Sequence, residues 1–185
     1  MVYMFLANGF EEIEALCPLD LLRRANIDVM TVGIGSEVIR GSHNITVHAD
    51  IVDIMYKDSS PDMIILPGGM PGSKNLDESR VVDTALKIAS KKGAYIAAIC
   101  AAPFVLGKRG LLEGKNATCF PGFEDELKGA NVIKNSGVVV DGNIITARGM
   151  GVAQKFGLTL VSLLKGEEVA KNIEKSIQTE PYDNE

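Results

Sequence analysis

Short apolar runs and amphipathic segments alternate along most of the chain. Four of the apolar runs have the length of a strand and almost no polar positions, a pattern typical of strands that are covered on both faces. Such strands belong in the interior of a sheet. They are Val2 to Ala7, Asp28 to Gly33, Asp62 to Leu66 and Tyr95 to Ile99.

Apolar residues at helical spacing mark the segments between and after these strands. The first predicted helix follows a tight Asn8-Gly9 turn, and the second ends at Gly93, a residue that favours the end of a helix. The predicted helices are Phe10 to Ala25, Asp77 to Lys92, Ala101 to Arg109, Gly151 to Leu164 and Glu167 to Ile177.

Two hairpins complete the predicted elements. Val38 to Arg40 and Asn44 to Ala49 form a small edge pair, and Val138 to Ala147 turns at Asp141-Gly142-Asn143. Because most strands alternate with helices, the pattern predicts the α/β class, with a mainly parallel sheet between two helical layers. The expected architecture is a three-layer α/β/α sandwich.

The carboxyl ends of the strands are where a sheet of this kind places its ligands and reactive groups. This rule selects three turns, at Asn8-Gly9, Pro67-Gly68-Gly69 and Ile99-Cys100-Ala101. We expect the functional site there.

Length and composition indicate one domain over residues 1–185. The chain has 185 residues, of which 46% are hydrophobic and 23% are charged, as in an ordinary globular protein. We expect the polar segment 179–185 to be a frayed tail.

Charge and hydropathy exclude several classes of function. The net charge is −5, and no cluster of basic residues with interleaved aromatics is present, so we expect no nucleic-acid partner. The longest apolar run, Ala94 to Gly107, has 14 residues and contains Pro103, so we expect no membrane span. The segment Met1 to Gly9 does not resemble a signal peptide, which favours a cytoplasmic protein.

Cysteine and histidine positions argue against a metal site. Cys17, Cys100 and Cys119 show neither CxxC spacing nor an even count. His43 and His48 are five residues apart, which places them on opposite faces of a strand, and no carboxylate cluster joins them. We therefore expect no bound metal and interpret both histidines as surface residues.

Cys100 stands between a buried strand and a helix. Ala98 and Ala102, two residues before and after it, occupy the glycine positions of the G-x-S-x-G nucleophile elbow, where larger side chains would collide. The N-terminus of the following helix would favour the thiolate and lower the pKa of the thiol to roughly 3.5–7.5. We predict a reactive cysteine; the alternative, a packed core cysteine, is our interpretation of Cys17.

Glu14 is the acidic residue of the first helix that we connect with Cys100. Pro18, four residues later, cannot donate to the Glu14 carbonyl, so the helix is expected to kink there and bring the carboxyl group towards the elbow. Because partial burial disfavours a carboxylate, this carboxyl group would be protonated more easily and would exchange a proton with the sulfur. Glu12 points elsewhere, and we interpret it as an acid that complements the helix dipole.

The Pro67-Gly68-Gly69 turn and the Ala101 N–H have an additional interpretation. Two glycines allow backbone N–H groups to face a developing negative charge, and with Ala101 they would form an oxyanion hole opposite Cys100. An ordinary turn is the alternative.

These segments together resemble the ThiJ/PfpI superfamily, in particular its parkinsonism-associated deglycase branch. The resemblance covers residues 1 to about 169 and includes Gly9 to Glu14, Leu66 to Gly69, Ala97 to Pro103 and Thr146 to Gly149. It implies a flavodoxin-like fold, similar to class I glutamine amidotransferases, and a homodimer.

The resemblance also implies site residues. The cysteine and glutamate of the family correspond to Cys100 and Glu14, and its backbone donors to Gly69 and Ala101. Protease-like members have a histidine directly after the cysteine, where this chain has Ala101, so we discount proteolysis.

Three further positions bear on the chemistry. Many deglycase-like members have a histidine before a proline where this chain has Phe120-Pro121, so the usual imidazole base is missing. Cys119 is either a resolving thiol for Cys100 or a packed strand residue. Arg148 either lines the entrance of the site or pairs with an acid.

Two functions are consistent with these residues. The first is a cofactor-independent glyoxalase or deglycase, in which Cys100 adds to a small dicarbonyl or a glycated amine or thiol and Glu14 transfers the proton. The second is a redox sensor or oxidation-regulated chaperone, in which Cys100 is oxidised to sulfinic acid beside a protonated Glu14. A nucleotide or flavin module lacks G-x-G-x-x-G and a Walker loop, and nothing in the sequence supports thiamine chemistry.

Overall fold

A seven-stranded sheet forms the centre of the protein in the computed structural model, which describes residues 1–57 and 60–179. The strand order is β10-β11-β7-β6-β1-β2-β5, and every neighbouring pair is parallel except β10 and β11. The strands are β1 (Val2–Leu6), β2 (Val29–Gly33), β3 (Val38–Arg40), β4 (Thr46–His48), β5 (Ile51–Val52), β6 (Met63–Leu66), β7 (Tyr95–Ile99), β8 (Asn116–Ala117), β9 (Asn131–Val132), β10 (Val138–Asp141) and β11 (Ile144–Ala147).

Helices cover both faces of this sheet. On one face α1, α5 and α6 pack around a core that includes Leu22 and Phe156, and on the other α2, α3 and α4 pack around one that includes Leu86 and Leu106. The α/β/α sandwich expected from the sequence is therefore present. The helices are α1 (Glu12–Arg24), α2 (Gly72–Glu78), α3 (Arg80–Lys92), α4 (Pro103–Gly107), α5 (Ala153–Lys165) and α6 (Glu167–Ser176).

The helix predicted over Asp77 to Lys92 is wrong at its N-terminal end. Ser79 is in an extended conformation, and its side chain accepts a hydrogen bond from the Val82 N–H (3.4 Å), so it begins α3 and ends α2. The separate α2 begins at Gly72, in a segment without apolar periodicity.

Three strands are absent from the sequence prediction. β5, β8 and β9 have two residues each, too few to show an alternating pattern. The predicted edge hairpin is present as β3 and β4, which form a sheet of their own. The expected frayed tail, apart from Thr179, lies outside the described residues.

The three turns selected from the sequence meet at the carboxyl edge of the sheet. The Glu11 N–H donates to the Gly68 carbonyl (2.9 Å), and the Gly72 N–H donates to the Gly9 carbonyl (3.1 Å). Gly9 has a φ of +87°, and a Cβ there would lie 2.5 Å from Pro71 Cδ. The first two turns are thus joined through their backbones beside the turn that contains Cys100.

Helix α1 contains Pro18 and packs closely on α5. A Cβ added at Gly157 of α5 would lie 2.9 Å from Pro18 Cα and 2.7 Å from Leu21 Cδ1. The glycine therefore allows the two helices to approach at the position where α1 loses a backbone hydrogen bond.

Among the residues that the structure describes, none of the helices is long and apolar enough to cross a membrane.

Gly157→Ala is expected to destabilise the protein although alanine is the better helix former. The new methyl group would displace Pro18 or Leu21, and such overpacking lowers the free energy of unfolding by about 1–3 kcal/mol. Gly151→Ala is the matched control, since a Cβ there meets no atom within 4 Å. Urea denaturation of both variants provides the measurement; equal stability of Gly157→Ala and the control would contradict close packing at this point.

Candidate active site

Cys100 occupies a strained turn directly after β7. Its φ is +65°, a left-handed conformation that few residues other than glycine adopt. The Cys100 N–H donates to the Ala147 carbonyl (2.9 Å), and Ala98 and Ala102 are completely buried. The side chain of Cys100 is half-buried. The sharp strand-to-helix turn predicted from the small neighbours is thus present.

Glu14 is a buried acid whose carboxyl group reaches this turn from α1. Its residue is only 1% exposed, and its side chain is hydrogen-bonded to that of Cys100. The backbone N–H groups of Gly68 and Met150 also donate to the carboxyl group, the first over 3.1 Å to Oε2. Contact between Glu14 and Cys100, expected from the helix break at Pro18, is present.

Gly68 allows the carboxyl group and the thiol to meet. A Cβ at Gly68 would lie 2.3 Å from Glu14 Oε2 and 2.5 Å from Cys100 Cβ, which are impossible contacts. Any side chain at this position would separate the acid from the sulfur. The first glycine of the Pro67-Gly68-Gly69 turn is therefore required for space.

Two backbone N–H groups point at the sulfur. Those of Gly69 and Ala101 are hydrogen-bonded to Cys100 and favour its negatively charged form. Gly69 has a φ of +88°, the conformation that allows its N–H to turn towards Cys100. The two donors expected beside Cys100 are therefore brought to it, and in this structure they contact the sulfur.

Glu14 holds its proton unusually tightly. Burial disfavours the carboxylate and, together with the nearby charge of Glu11, raises the pKa of Glu14 from 4.5 to about 7, although hydrogen bonds from Cys100, Gly68 and Met150 oppose the shift. At neutral pH both protonation states of Glu14 are thus populated, and the group is able to donate and to accept a proton.

The low pKa expected for the Cys100 thiol is wrong. Burial, the charge of Glu14 and the hydrogen bond to Glu14 raise the pKa of Cys100 from 9.0 to about 12, against the opposing effect of the Gly69 and Ala101 N–H groups. The helix-dipole argument fails because α4 begins only at Pro103 and has five residues.

Glu14 and Cys100 titrate as a coupled pair. Two of the causes that raise the pKa of Cys100 require Glu14 to be a carboxylate, so they disappear when Glu14 is protonated. A protonated Glu14 would instead donate to the sulfur and favour the thiolate. The ionisation of Cys100 therefore depends on whether Glu14 carries a proton.

Phe120 lies beside the pair where the family resemblance led us to look for a histidine. Its N–H donates to the Cys100 carbonyl (2.8 Å), and its side chain is about half exposed. A Cβ at Gly149 would lie 3.2 Å from Phe120 Cδ2 and 3.8 Å from Glu14 Oε1. The phenyl ring thus forms a wall of the site next to the carboxyl group.

Glu12 lies in the first turn of α1, as expected, and also has contacts that the sequence did not predict. It is 4% exposed, and its carboxylate accepts hydrogen bonds from the backbone N–H groups of His43 (2.8 Å) and Ile45 (3.4 Å), from His43 Nδ1 (3.0 Å) and from Ser42 Oγ (3.3 Å). Burial alone would raise the pKa of Glu12, but these bonds leave it below its ordinary value. Glu12 therefore fixes the 41–45 loop.

His43 lies before β4, so the alternation of side chains along a strand, which the sequence analysis assumed, does not apply to it. Glu11, Glu12 and His43 have potential metal-ligand atoms within 4.8 Å of one another, so carboxylates do join this histidine. Each oxygen of Glu12 already accepts two hydrogen bonds, which explains the cluster without an ion. The absence of a metal site remains a prediction.

The other candidate residues from the sequence have contacts of their own, away from the bond between Glu14 and Cys100. Cys119 is 5% exposed and belongs to the core on the α3 face of the sheet, whereas Cys100 packs against the core on the α1 face, so the packed-residue interpretation fits Cys119. Arg148 donates to the Lys134 carbonyl (2.7 Å). Cys17 packs against the α1-face core, and burial raises its pKa.

Met150 is a residue of the site that the sequence did not predict. It follows β11, the strand next to β7, and its backbone N–H donates to Glu14. Since β11 is parallel to β7, the loop after it lies at the same carboxyl edge of the sheet as the three turns predicted to form the site.

Comparison with known proteins gives consistent matches. The model of the DJ-1/PfpI family matches residues 1–163. The crystal structure of Drosophila melanogaster DJ-1beta is similar with a TM-score of 0.93 and 35% identity, covering 97% of each chain. The Parkinson disease protein 7 homolog of Danio rerio is 38% identical over 174 residues, which are 92% of each protein.

A further relative has a name that states an activity. The glutathione-independent glyoxalase DJR-1.2 of Caenorhabditis elegans is 32% identical over 168 residues, which cover 90% of this chain and 89% of the relative.

Glu14 is expected to make stability pH-dependent. Because its pKa is about 7 in the folded protein and 4.5 ordinarily, the folded state binds the proton more tightly, and the contribution of Glu14 to stability falls as pH rises from 4.5 to 7. Between pH 5 and pH 8, the free energy of unfolding of the wild type should fall by about 2–3 kcal/mol more than that of Glu14→Gln. Urea denaturation at both pH values measures this difference.

The control for this experiment is Glu168→Gln, a substitution of an exposed glutamate on α6. It should follow the wild type at both pH values. Parallel pH dependence of the wild type and Glu14→Gln would show that Glu14 does not retain its proton on folding.

Proposed function

The chain belongs to the DJ-1/PfpI family, and from this premise we propose that it is a cofactor-independent hydrolase of the glyoxalase or deglycase type that acts through Cys100. Its substrates are small dicarbonyls or the adducts that these form with amines and thiols. The observation that carries the proposal is the convergence of one proton-carrying acid, Glu14, and two backbone donors on a half-buried thiol.

Addition to the aldehyde is the first step. The sulfur of Cys100 forms a bond to the aldehyde carbon, the C=O π electrons move to oxygen, and the oxygen takes the proton that the thiol shares with Glu14. The product is a hemithioacetal. As the sulfur loses its negative charge, the N–H groups of Gly69 and Ala101 are available to the developing oxyanion.

Proton transfer and hydrolysis complete the reaction. Glu14, as a carboxylate, removes the proton from the former aldehyde carbon and returns it to the neighbouring carbon, while the hydroxyl proton passes from the hemithioacetal oxygen to the former ketone oxygen. The hemithioacetal is thereby converted into a 2-hydroxy thioester. Water then cleaves the thioester to a hydroxy acid and the free thiol. The net change is the addition of one water molecule, so no oxidant, reductant or cofactor is needed.

A pKa of about 7 for Glu14 supports this sequence of steps, because one group must act as both acid and base. The name of the similar Caenorhabditis elegans protein, a glutathione-independent glyoxalase, also supports it. For glycated substrates, the same hydrolysis would release the repaired amine or thiol.

Turnover of methylglyoxal tests the proposal. Cys100→Ala should abolish turnover, since no sulfur is left to form the hemithioacetal. Glu14→Ala should lower kcat by about 10²–10⁴-fold, the usual contribution of a general acid-base. Formation of the hydroxy acid, quantified at pH 7 by chromatography, is the measurement.

The matched control is Cys17→Ala, which removes a thiol that packs against the α1-face core. It should retain the wild-type rate within about twofold. Undiminished turnover by Cys100→Ala would rule out the proposed mechanism.

A redox sensor or oxidation-regulated chaperone is the second candidate, and the hydrogen bond between Glu14 and Cys100 favours it specifically. Reaction of the thiol with two molecules of peroxide gives a sulfinic acid and two molecules of water. A protonated Glu14 would donate to the new oxygen, and a pKa of about 7 keeps part of the population protonated at neutral pH.

Mild peroxide treatment followed by peptide mass spectrometry tests this second candidate. Cys100 should gain two oxygen atoms before Cys17 and Cys119 do, and Glu14→Ala should slow the gain or allow further oxidation to sulfonic acid. Equal oxidation of all three cysteines would contradict a sensing role.

Two further expectations from the sequence stay proposals. They are a homodimer, which the family resemblance implies, and a location in the cytoplasm.

A further inference from the structure

Three exposed apolar side chains belong to residues whose backbones build the site. Phe120, Met70 and Met150 are 47%, 50% and 51% exposed. Exposed side chains of this kind offer an apolar surface to a ligand bound at the site. We call these three residues the apolar rim.

Each member of the apolar rim is tied to the reactive pair through its backbone. The Phe120 N–H donates to the Cys100 carbonyl (2.8 Å), and the Met150 N–H donates to the Glu14 carboxyl group. Met70 directly follows Gly69, whose N–H points at the sulfur. The backbones of the three residues therefore lie beside Cys100 and Glu14.

The phenyl ring of Phe120 is the best-placed member. The edge of the ring and Glu14 Oε1 both lie within 3.8 Å of the point that a Cβ on Gly149 would occupy. A substrate carbonyl bound at Cys100 would thus carry its substituent past an exposed aromatic surface. Aromatic and alkyl groups gain by burying such a surface, and aromatic pairs gain further from ring stacking.

The charges beside the pair select against anionic substrates. Glu11 lies close enough to raise the pKa of Glu14 by repulsion, and Glu14 itself becomes negative above a pH of about 7. A carboxylate on the substrate would meet both of these like charges. An uncharged substituent avoids this repulsion.

We propose that Phe120 is the specificity-determining residue of this site and that the apolar rim selects uncharged 2-oxoaldehydes with an aromatic or bulky alkyl substituent. This inference rests on the proposed function, because it identifies the substrate class of the same site. Phe120 recognises the substituent and takes no part in proton transfer.

The experiment compares phenylglyoxal, methylglyoxal and 4-carboxyphenylglyoxal, an anionic 2-oxoaldehyde, as substrates of the wild type, Phe120→Ala and Phe120→Leu. The ratio of kcat/KM for phenylglyoxal to that for methylglyoxal should fall roughly tenfold or more in Phe120→Ala and less in Phe120→Leu, which keeps an apolar surface. 4-Carboxyphenylglyoxal should be a poorer substrate of the wild type than phenylglyoxal. Met55→Ala, which truncates another exposed methionine after β5, is the control and should leave the ratio unchanged.

A second measurement separates this inference from the proposed function. Alkylation of Cys100 by 2-bromoacetophenone and by bromoacetone needs no turnover, and the ratio of the two rates, divided by the same ratio for free cysteine, reports the apolar subsite alone. We expect the wild type to favour the aromatic reagent and Phe120→Ala to lose that preference. Thermal unfolding of each variant checks that it is folded.

The outcomes distinguish the two ideas. Loss of the alkylation preference in Phe120→Ala supports the subsite, whether or not the compounds are turned over. Lack of turnover of all three compounds would count against the proposed hydrolase. Turnover with the same substrate ratio in the wild type and Phe120→Ala overturns the subsite and leaves the hydrolase standing. Faster wild-type turnover of 4-carboxyphenylglyoxal than of phenylglyoxal also overturns it.

Discussion

A hydrogen bond between a buried carboxyl group and a thiol is the contact on which the arrangement of this protein depends. It joins Glu14 on α1 to Cys100 after β7, elements that are distant along the chain. Gly68 leaves room for the two side chains, because a Cβ there would lie 2.3 Å from the carboxyl oxygen. Gly157 allows α1 to pack on α5 beside Pro18. One glycine thus makes room for the pair itself, and another allows close packing of the helix that carries Glu14.

Much of the fold could be predicted because the central strands are covered by helices on both faces. Their side chains are then apolar without interruption, and β1, β2, β6 and β7 end within one residue of the sequence prediction. Strands of two residues have no such pattern, which is why β5, β8 and β9 were missed. The nucleophile elbow was predictable for a related reason, since a tight turn excludes large side chains at Ala98 and Ala102.

The ionisation states could not be predicted from residue order. The position of Pro18 predicted that Glu14 approaches Cys100. The pKa of each group, however, depends on how completely the fold excludes water and on the charge of the other group. The helix after Cys100 begins only at Pro103, so the expected dipole effect is weak, and burial raises the pKa of the thiol instead. The contacts of Glu12 could not be predicted for a related reason: its oxygens accept hydrogen bonds from the 41–45 loop, about thirty residues away in the sequence.

A thiol paired with a carboxyl group ionises differently from a thiol paired with an imidazole. A cysteine beside a protonated histidine forms an ion pair of opposite charges, whereas Cys100 beside Glu14 must share a single negative charge, because two would repel. The second ionisation is accordingly delayed to a pKa of about 12. Burial of Glu14 acts in the same direction on the first ionisation, since it holds the pKa of the carboxyl group near 7. The retention of a proton by Glu14 and the late ionisation of Cys100 are thus two consequences of burying both groups at one turn.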